Sequence, residues 1–84
     1  KGRLKGIFTD GDLRRHLKAG ETILSKPVRD VMTKDPITIS QDTLATVALE
    51  ILRAKKIDEV PVIDKRRRPI GLLDVQDLLK AGIV

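Results

Sequence analysis

Apolar residues recur along the chain in two rhythms, short runs with strand character and longer stretches spaced three and four apart, and their alternation predicts the order of elements. Leu4 to Phe8 reads as a short strand. Thr9-Asp10-Gly11-Asp12 then favours a turn and a helix start, Leu13 and Leu17 follow at helical spacing, and Gly20 supplies the stop. Glu21 to Pro27 is a connector, after which Val28, Val31 and Met32 fall on one side of a single helical turn. Pro36 ends any helix and admits the strand Ile37-Thr38-Ile39. Ser40 or Asp42 is expected to cap the next helix, in which Leu44, Val47, Ala48, Ile51 and Leu52 form an apolar stripe at i, i+3, i+4, i+7 and i+8.

The second half closes the pattern. Glu59-Val60-Pro61-Val62-Ile63 is a β-branched run, but Pro61 has no amide hydrogen for a ladder, so this strand is expected at a sheet edge or incompletely paired there. Asp64 to Pro69 is a polar turn, Ile70 to Leu73 a returning strand, and Asp74 to Ala81 a closing helix ended by Gly82. Gly6-Ile7-Phe8-Thr9-Asp10-Gly11-Asp12-Leu13 returns here as Gly71-Leu72-Leu73-Asp74-Val75-Gln76-Asp77-Leu78, so one strand-then-helix unit occurs twice. Residues 1–20 read as the tail of a first repeat, 21–27 as a linker and 28–84 as a complete second repeat, with the front of the first copy expected in a longer parent chain. The fold class expected is α+β, a small mixed sheet with two helices on one face, plus the last strand and helix of the preceding repeat.

Composition narrows the chemistry. With 84 residues the chain holds one small domain that buries about 60% of its unfolded surface. Phe8 is the only aromatic residue, so the core must be aliphatic. No cysteine occurs, which excludes disulfides, thiolate metal sites and thiol redox chemistry and suits a cytoplasmic protein. No apolar run approaches the roughly 20 residues of a membrane span, so a soluble protein is expected. The net charge of +5 favours anionic partners without choosing among phosphates, nucleotides and acidic surfaces.

Thr9 and Asp12 are the leading candidates for binding. Where a strand becomes a helix, a hydroxyl and a carboxylate spaced in this way can converge on the vicinal hydroxyls of a ribose. The open amides of the helix start, with Arg14 or Arg15, suit its phosphate. The same spacing is also a variant of the helix capping box, in which Asp12 does no more than satisfy a backbone amide. Lys65 to Arg68 form a basic run in a turn without aromatics for base stacking, which argues against nucleic acid as a partner. His16 has no companion ligand for a metal, and Lys55 and Lys56 complement a helix C-terminus. No nucleophile, base and orienter assemble from these residues, so no catalytic site is expected.

Asp30-Val31-Met32-Thr33, the strand after Pro36, the helix from Thr43 to Lys55, Val60-Pro61-Val62-Ile63-Asp64, and Pro69-Ile70-Gly71-Leu72-Leu73 before an Asp-led helix together resemble a cystathionine β-synthase (CBS) domain in the tandem arrangement of a Bateman module. The resemblance implies that Thr9 and Asp12 work with Ile37, Thr38, Asp58, Glu59, Val60 and Pro61 of the other repeat, the last two offering apolar contact and unpaired backbone to a base. It implies a mirror site at Asp77 that departs from the pattern, since Asp74 stands where the first copy has Thr9, and that site is expected to be empty. Gly6 to Arg15, with the ending Asp77 to Val84, is similar more narrowly to the C-terminal CBS pair of bacterial arabinose 5-phosphate isomerases, in which a sugar isomerase (SIS) domain precedes the pair and the enzyme feeds Kdo synthesis for lipopolysaccharide or capsule. That likeness implies a regulatory module without catalysis of its own, attached to an aldose-ketose isomerase. The same likeness implies that no cofactor is required and that AMP, ATP or CMP-Kdo is the regulatory ligand. The competing expectation is an oligomerisation module in which the helices of CBS units pack into a homodimer or larger assembly with no ligand.

Overall fold

The computed structural model describes residues 2–20 and 22–82. Glu21, at the head of the expected connector, and Ile83 and Val84, at the expected end of the second repeat, lie outside these residues. The described chain forms two compact units, one of residues 5–36 and one of residues 37–82 together with residues 2–4. The division into units falls after Pro36.

Backbone pairing explains what residues 5–36 hold together. Strand β1 (Gly6–Ile7) precedes helix α1 (Asp10–Lys18), a 3-10 turn follows at Ile23–Ser25, and helix α2 (Val28–Val31) leads into strand β2 (Thr33–Lys34). β1 and β2 are antiparallel, with Gly6 opposite Lys34 and Ile7 opposite Thr33. The Asp35 amide extends the contact by donating to the Lys5 carbonyl at 3.3 Å. Only glycine fits at position 6: a Cβ there would lie 2.6 Å from Met32 Sδ and 2.7 Å from the Thr33 carbonyl oxygen. Strand β1 is thus shorter than the run from Leu4 to Phe8, and β2 has no counterpart in the sequence pattern. Gly20 ends α1 as expected, with φ +77°.

Residues 37–82 form the α+β body. Strand β3 (Ile39–Ser40), helix α3 (Ala45–Lys55), strand β4 (Glu59–Ile63), strand β5 (Pro69–Asp74) and helix α4 (Val75–Lys80) follow in order. The sheet runs β3-β4-β5, with β4 parallel to β3 and antiparallel to β5. β4 is therefore central, and the edge position foreseen for the proline-bearing strand is not realised. Incomplete pairing is what accommodates Pro61: the parallel ladder takes in only Val62 and Ile63, while Pro61 stands opposite Leu72 on the other side.

The core gathers Ile39, Ala48, Leu49, Leu52, Val60 and Leu78, with Ile51, Ile57, Val62, Leu73 and Val75 packed against it. Complete burial of Leu52 and Val60 contributes about 1.5–3 kcal/mol each. The inward face of α3 is rotated from the expected stripe. Leu49 is buried, whereas Leu44 is 69% exposed and Val47 is also exposed. Leu44 lies just before the first turn in an extended conformation, so the helical stripe does not reach it. Neither expected cap is used either. The Ser40 hydroxyl accepts from the Asp42 amide at 3.0 Å and closes a turn upstream of the helix.

Two further connections, one closed by backbone and one by a side chain, are not read by periodicity. At the end of α3, Lys56 adopts φ +55°, and the amides of Ile57 and Lys56 return to the carbonyls of Leu52 (3.0 Å) and Arg53 (3.2 Å). In the β4–β5 turn the Asp64 carboxylate accepts from the amides of Arg66 and Arg68, each at 2.9 Å, and from Arg68 Nε at 2.7 Å. These bonds to the Arg68 and Arg66 amides and the Arg68 side chain hold its carboxyl below the ordinary carboxylate value despite the opposing effect of burial.

Candidate functional site

β1 delivers Thr9 to the N-cap of α1, where its extended backbone (φ −107°, ψ 168°) turns the hydroxyl back over the helix start. The hydroxyl accepts from the Asp12 amide at 3.2 Å. The Asp12 Oδ2 in return accepts from the Thr9 amide at 2.9 Å and from the Thr9 hydroxyl at 3.1 Å. This is a complete capping box, so that reading of the motif holds, and the carboxylate it needs is also the one proposed for a ligand. Arg15 Nη2 donates to Asp12 Oδ1, while Arg14 engages Asp10 instead. Of the two arginines weighed from the sequence, Arg15 is the one at the carboxylate.

Asp12 is 9% exposed. Burial alone would push its carboxyl up, but the bonds from the Thr9 amide, the Arg15 guanidinium and the Thr9 hydroxyl, aided by the Arg15 charge, hold it below the ordinary value. The group is an ionised acceptor at neutral pH. Phe8 and His16 stack nearby on the same unit, ring centroids 6.3 Å apart, which gives His16 a packing role.

The remaining expected residues all belong to the unit of residues 37–82, and most gather at one end of its sheet. Ile37 and Thr38 precede β3, Asp58 precedes β4, and Glu59 opens β4 opposite Asp74 at the end of β5. The Val75 amide donates to the Asp58 carbonyl at 2.8 Å, drawing the start of α4 to the same end. Asp77 closes a second capping box, its Oδ2 accepting from the Asp74 amide at 3.1 Å and Asp74 Oδ1 accepting from the Gln76 amide at 2.8 Å. The repeated sequence is therefore a repeated local structure. Val60 is fully enclosed in the core, so the apolar contact expected from its side chain is not available to a ligand; Pro61 is also buried.

A cleft of about 160 Å³ opens at the opposite end of the parallel pair, lined by Ser40, Gln41, Asp42, Ile63, Asp64 and Lys65. Sequence reading did not single out this group, because its members come together only through the β3–β4 register. Among the described residues no group of three His, Cys, Asp or Glu side chains is placed to hold a metal ion, and no helix is long and apolar enough to cross a membrane.

The mixed sheet, its two helices and the duplicated strand-to-helix capping box define a class, and comparison with known proteins agrees. The family model described as the CBS domain matches residues 28–83, and the chain belongs to that family. Among curated relatives it is 43% identical over 83 residues to arabinose 5-phosphate isomerase KdsD of Pseudomonas aeruginosa, and 42% identical over 81 residues to arabinose 5-phosphate isomerase GutQ of Salmonella typhi. These alignments take in 99% and 96% of this chain but only 26% and 25% of the relatives, so the chain spans about a quarter of their length. Among solved structures it resembles the CBS domain pair of protein MJ0100 in complex with 5′-methylthioadenosine and S-adenosyl-L-methionine, with TM-score 0.84 and 27% identity over 96% of this chain and 65% of that one.

Proposed function

We propose that this chain is the ligand-sensing CBS module of an arabinose 5-phosphate-type isomerase, and that it binds a nucleotide or nucleotide-sugar through Thr9 and Asp12. The observation that carries the reading is the nearly buried, ionised Asp12 carboxylate beside a hydroxyl at a helix start. That combination offers acceptors to sugar hydroxyls and amides to a phosphate. The adenosine compounds bound by the MJ0100 pair support AMP or ATP, and the isomerase relatives support a product of their pathway such as CMP-Kdo. The wider set of Ile37, Thr38, Asp58, Glu59, the backbone of Val60, Pro61 and Asp77 belongs to the same proposal. So do the attached SIS domain, the aldose-ketose reaction, the role in lipopolysaccharide synthesis and the cytoplasmic setting.

Calorimetric titration of the full chain with ATP, AMP and CMP-Kdo tests this. At least one is expected to bind with micromolar affinity, about −8 kcal/mol, and to lose most of it in Asp12→Ala. No heat from any of the three rejects the sensing role.

A second reading is favoured by exposed apolar residues on α4, on α3 and at the N-terminal end of α3. Leu44, Val47 and Leu79 face solvent, as an assembly module would require of its contact surface. Sedimentation across a concentration series should then show a dimer or larger species; a monomer throughout counts against assembly.

A further inference from the structure

Acceptor positions at the Thr9–Asp12 box can be counted. Thr9 has one hydroxyl hydrogen, already donated to Asp12 Oδ2, and its oxygen accepts the Asp12 amide. Asp12 Oδ2 takes two donors, the Thr9 amide and hydroxyl, and Oδ1 takes Arg15. A carboxylate offers about four acceptor positions, so one remains on Oδ1, beside the guanidinium. A vicinal diol brings two hydroxyl donors. It finds enough acceptors on this carboxylate only when Arg15 leaves.

Arg15 is suited to leave. Its side chain is 72% exposed although its carboxylate partner is nearly enclosed. The guanidinium also lies over the first turn of α1, for a Cβ placed on Gly11 would stand 3.4 Å from Nη1 and 3.9 Å from Nη2. The amides of Asp10 and Gly11 belong to the helix-start donors that have no intrahelical acceptor. A phosphate at that turn would meet these amides and the guanidinium together, in the paired geometry that arginine makes with oxyanions. Arg14 does not compete for this place, being held by Asp10.

We infer that Arg15 makes the site selective for phosphorylated ligands, guarding Asp12 until a phosphate draws the guanidinium away and frees Oδ1 for sugar hydroxyls. This rests on the ligand reading of Thr9 and Asp12. A nucleoside without phosphate must break the Asp12–Arg15 pair with nothing to replace it. A nucleotide exchanges one anionic partner for another and opens the acceptor in the same step.

The test compares AMP with adenosine on the full chain by calorimetry, in the wild type, Arg15→Gln and Arg15→Lys. The wild type is expected to prefer AMP by about tenfold or more, a difference of about 1.4 kcal/mol. In Arg15→Gln adenosine should bind more tightly and AMP more weakly, bringing the ratio close to one, while Arg15→Lys keeps part of the preference. A residue that only stiffened α1 would weaken both ligands together and leave the ratio unchanged. An unchanged ratio in Arg15→Gln, with AMP binding still abolished by Asp12→Ala, overturns the role of Arg15 and leaves the ligand site standing. Failure of the wild type to bind either compound removes the site and this inference with it.

Discussion

Gly6 and Gly71 occupy the same position in the two copies of the repeated motif, yet replacing each by alanine should move stability in opposite directions. At position 6 the new methyl would stand 2.6 Å from Met32 Sδ, 2.9 Å from Met32 Cγ and 2.7 Å from the Thr33 carbonyl oxygen. Carbon atoms prefer separations of about 3.5–4.0 Å, so the overlap approaches 1 Å. Met32 can swing aside, but the carbonyl belongs to β2 and cannot retreat without opening the Ile7–Thr33 pairing. Overpacking of this kind costs about 1–3 kcal/mol. At position 71 the methyl would meet Val62 Cβ at 3.8 Å and Cγ2 at 4.0 Å, ordinary contact on the core side of the hairpin. Relief of glycine's conformational entropy there contributes about 0.5–1 kcal/mol of stability. With a urea dependence of about 1 kcal/mol/M, the unfolding midpoint of Gly6→Ala should fall by about 1–3 M and that of Gly71→Ala rise by about 0.5–1 M. Because β1 runs directly into Thr9, Gly6→Ala should also weaken any ligand held by the capping box. Midpoints that shift equally and in the same direction would refute the close approach of β1 to Met32 and Thr33.

Three other perturbations probe separate parts of the argument. Leu52→Ala should cost about 2–5 kcal/mol in chemical denaturation, whereas Leu44→Ala should change stability by less than about 0.5 kcal/mol; similar losses would mean that α3 turns its other face inward. Lys56→Gly removes a side chain from φ +55° and should raise stability by up to about 1 kcal/mol, read as a higher melting midpoint. The folded Asp12 carboxyl ionises at lower pH than its unfolded counterpart, so the unfolded chain binds the extra proton near pH 4. The stability tied to Asp12 is therefore present above the unfolded value and fades as pH falls through the folded one. Asp12→Asn should flatten that acid limb, and an unaltered limb would show that the carboxylate is not held as described.

Much of the architecture was readable because it is written in local chemistry. The order of helical turn, strand, helix, strand, strand and helix follows from apolar periodicity punctuated by Gly20, Pro36 and the turn at Asp64. The Thr9–Asp12 box was readable for the same reason, since a capping box closes within four residues. Its ambiguity was readable too: one carboxylate serves a helix amide and is at the same time suited to a sugar hydroxyl. What stayed hidden involved partners distant in sequence or a choice of direction. β2 is two residues long and carries no periodicity; only its pairing with β1 makes it a strand.

Local preference alone settles where this chain turns, where α1 and α4 begin and which two segments repeat, because those outcomes depend on neighbours within one or two turns of backbone. Packing settled the remainder. It put the proline-bearing strand at the centre of the sheet, turned α3 so that Leu49 faces inward while Leu44 does not, and enclosed the Val60 side chain in the core. It also placed Lys56 in a left-handed cap that glycine usually fills. Such choices turn on which surfaces meet and how much apolar area each arrangement removes from water, and no stretch of sequence shorter than the whole unit carries that information.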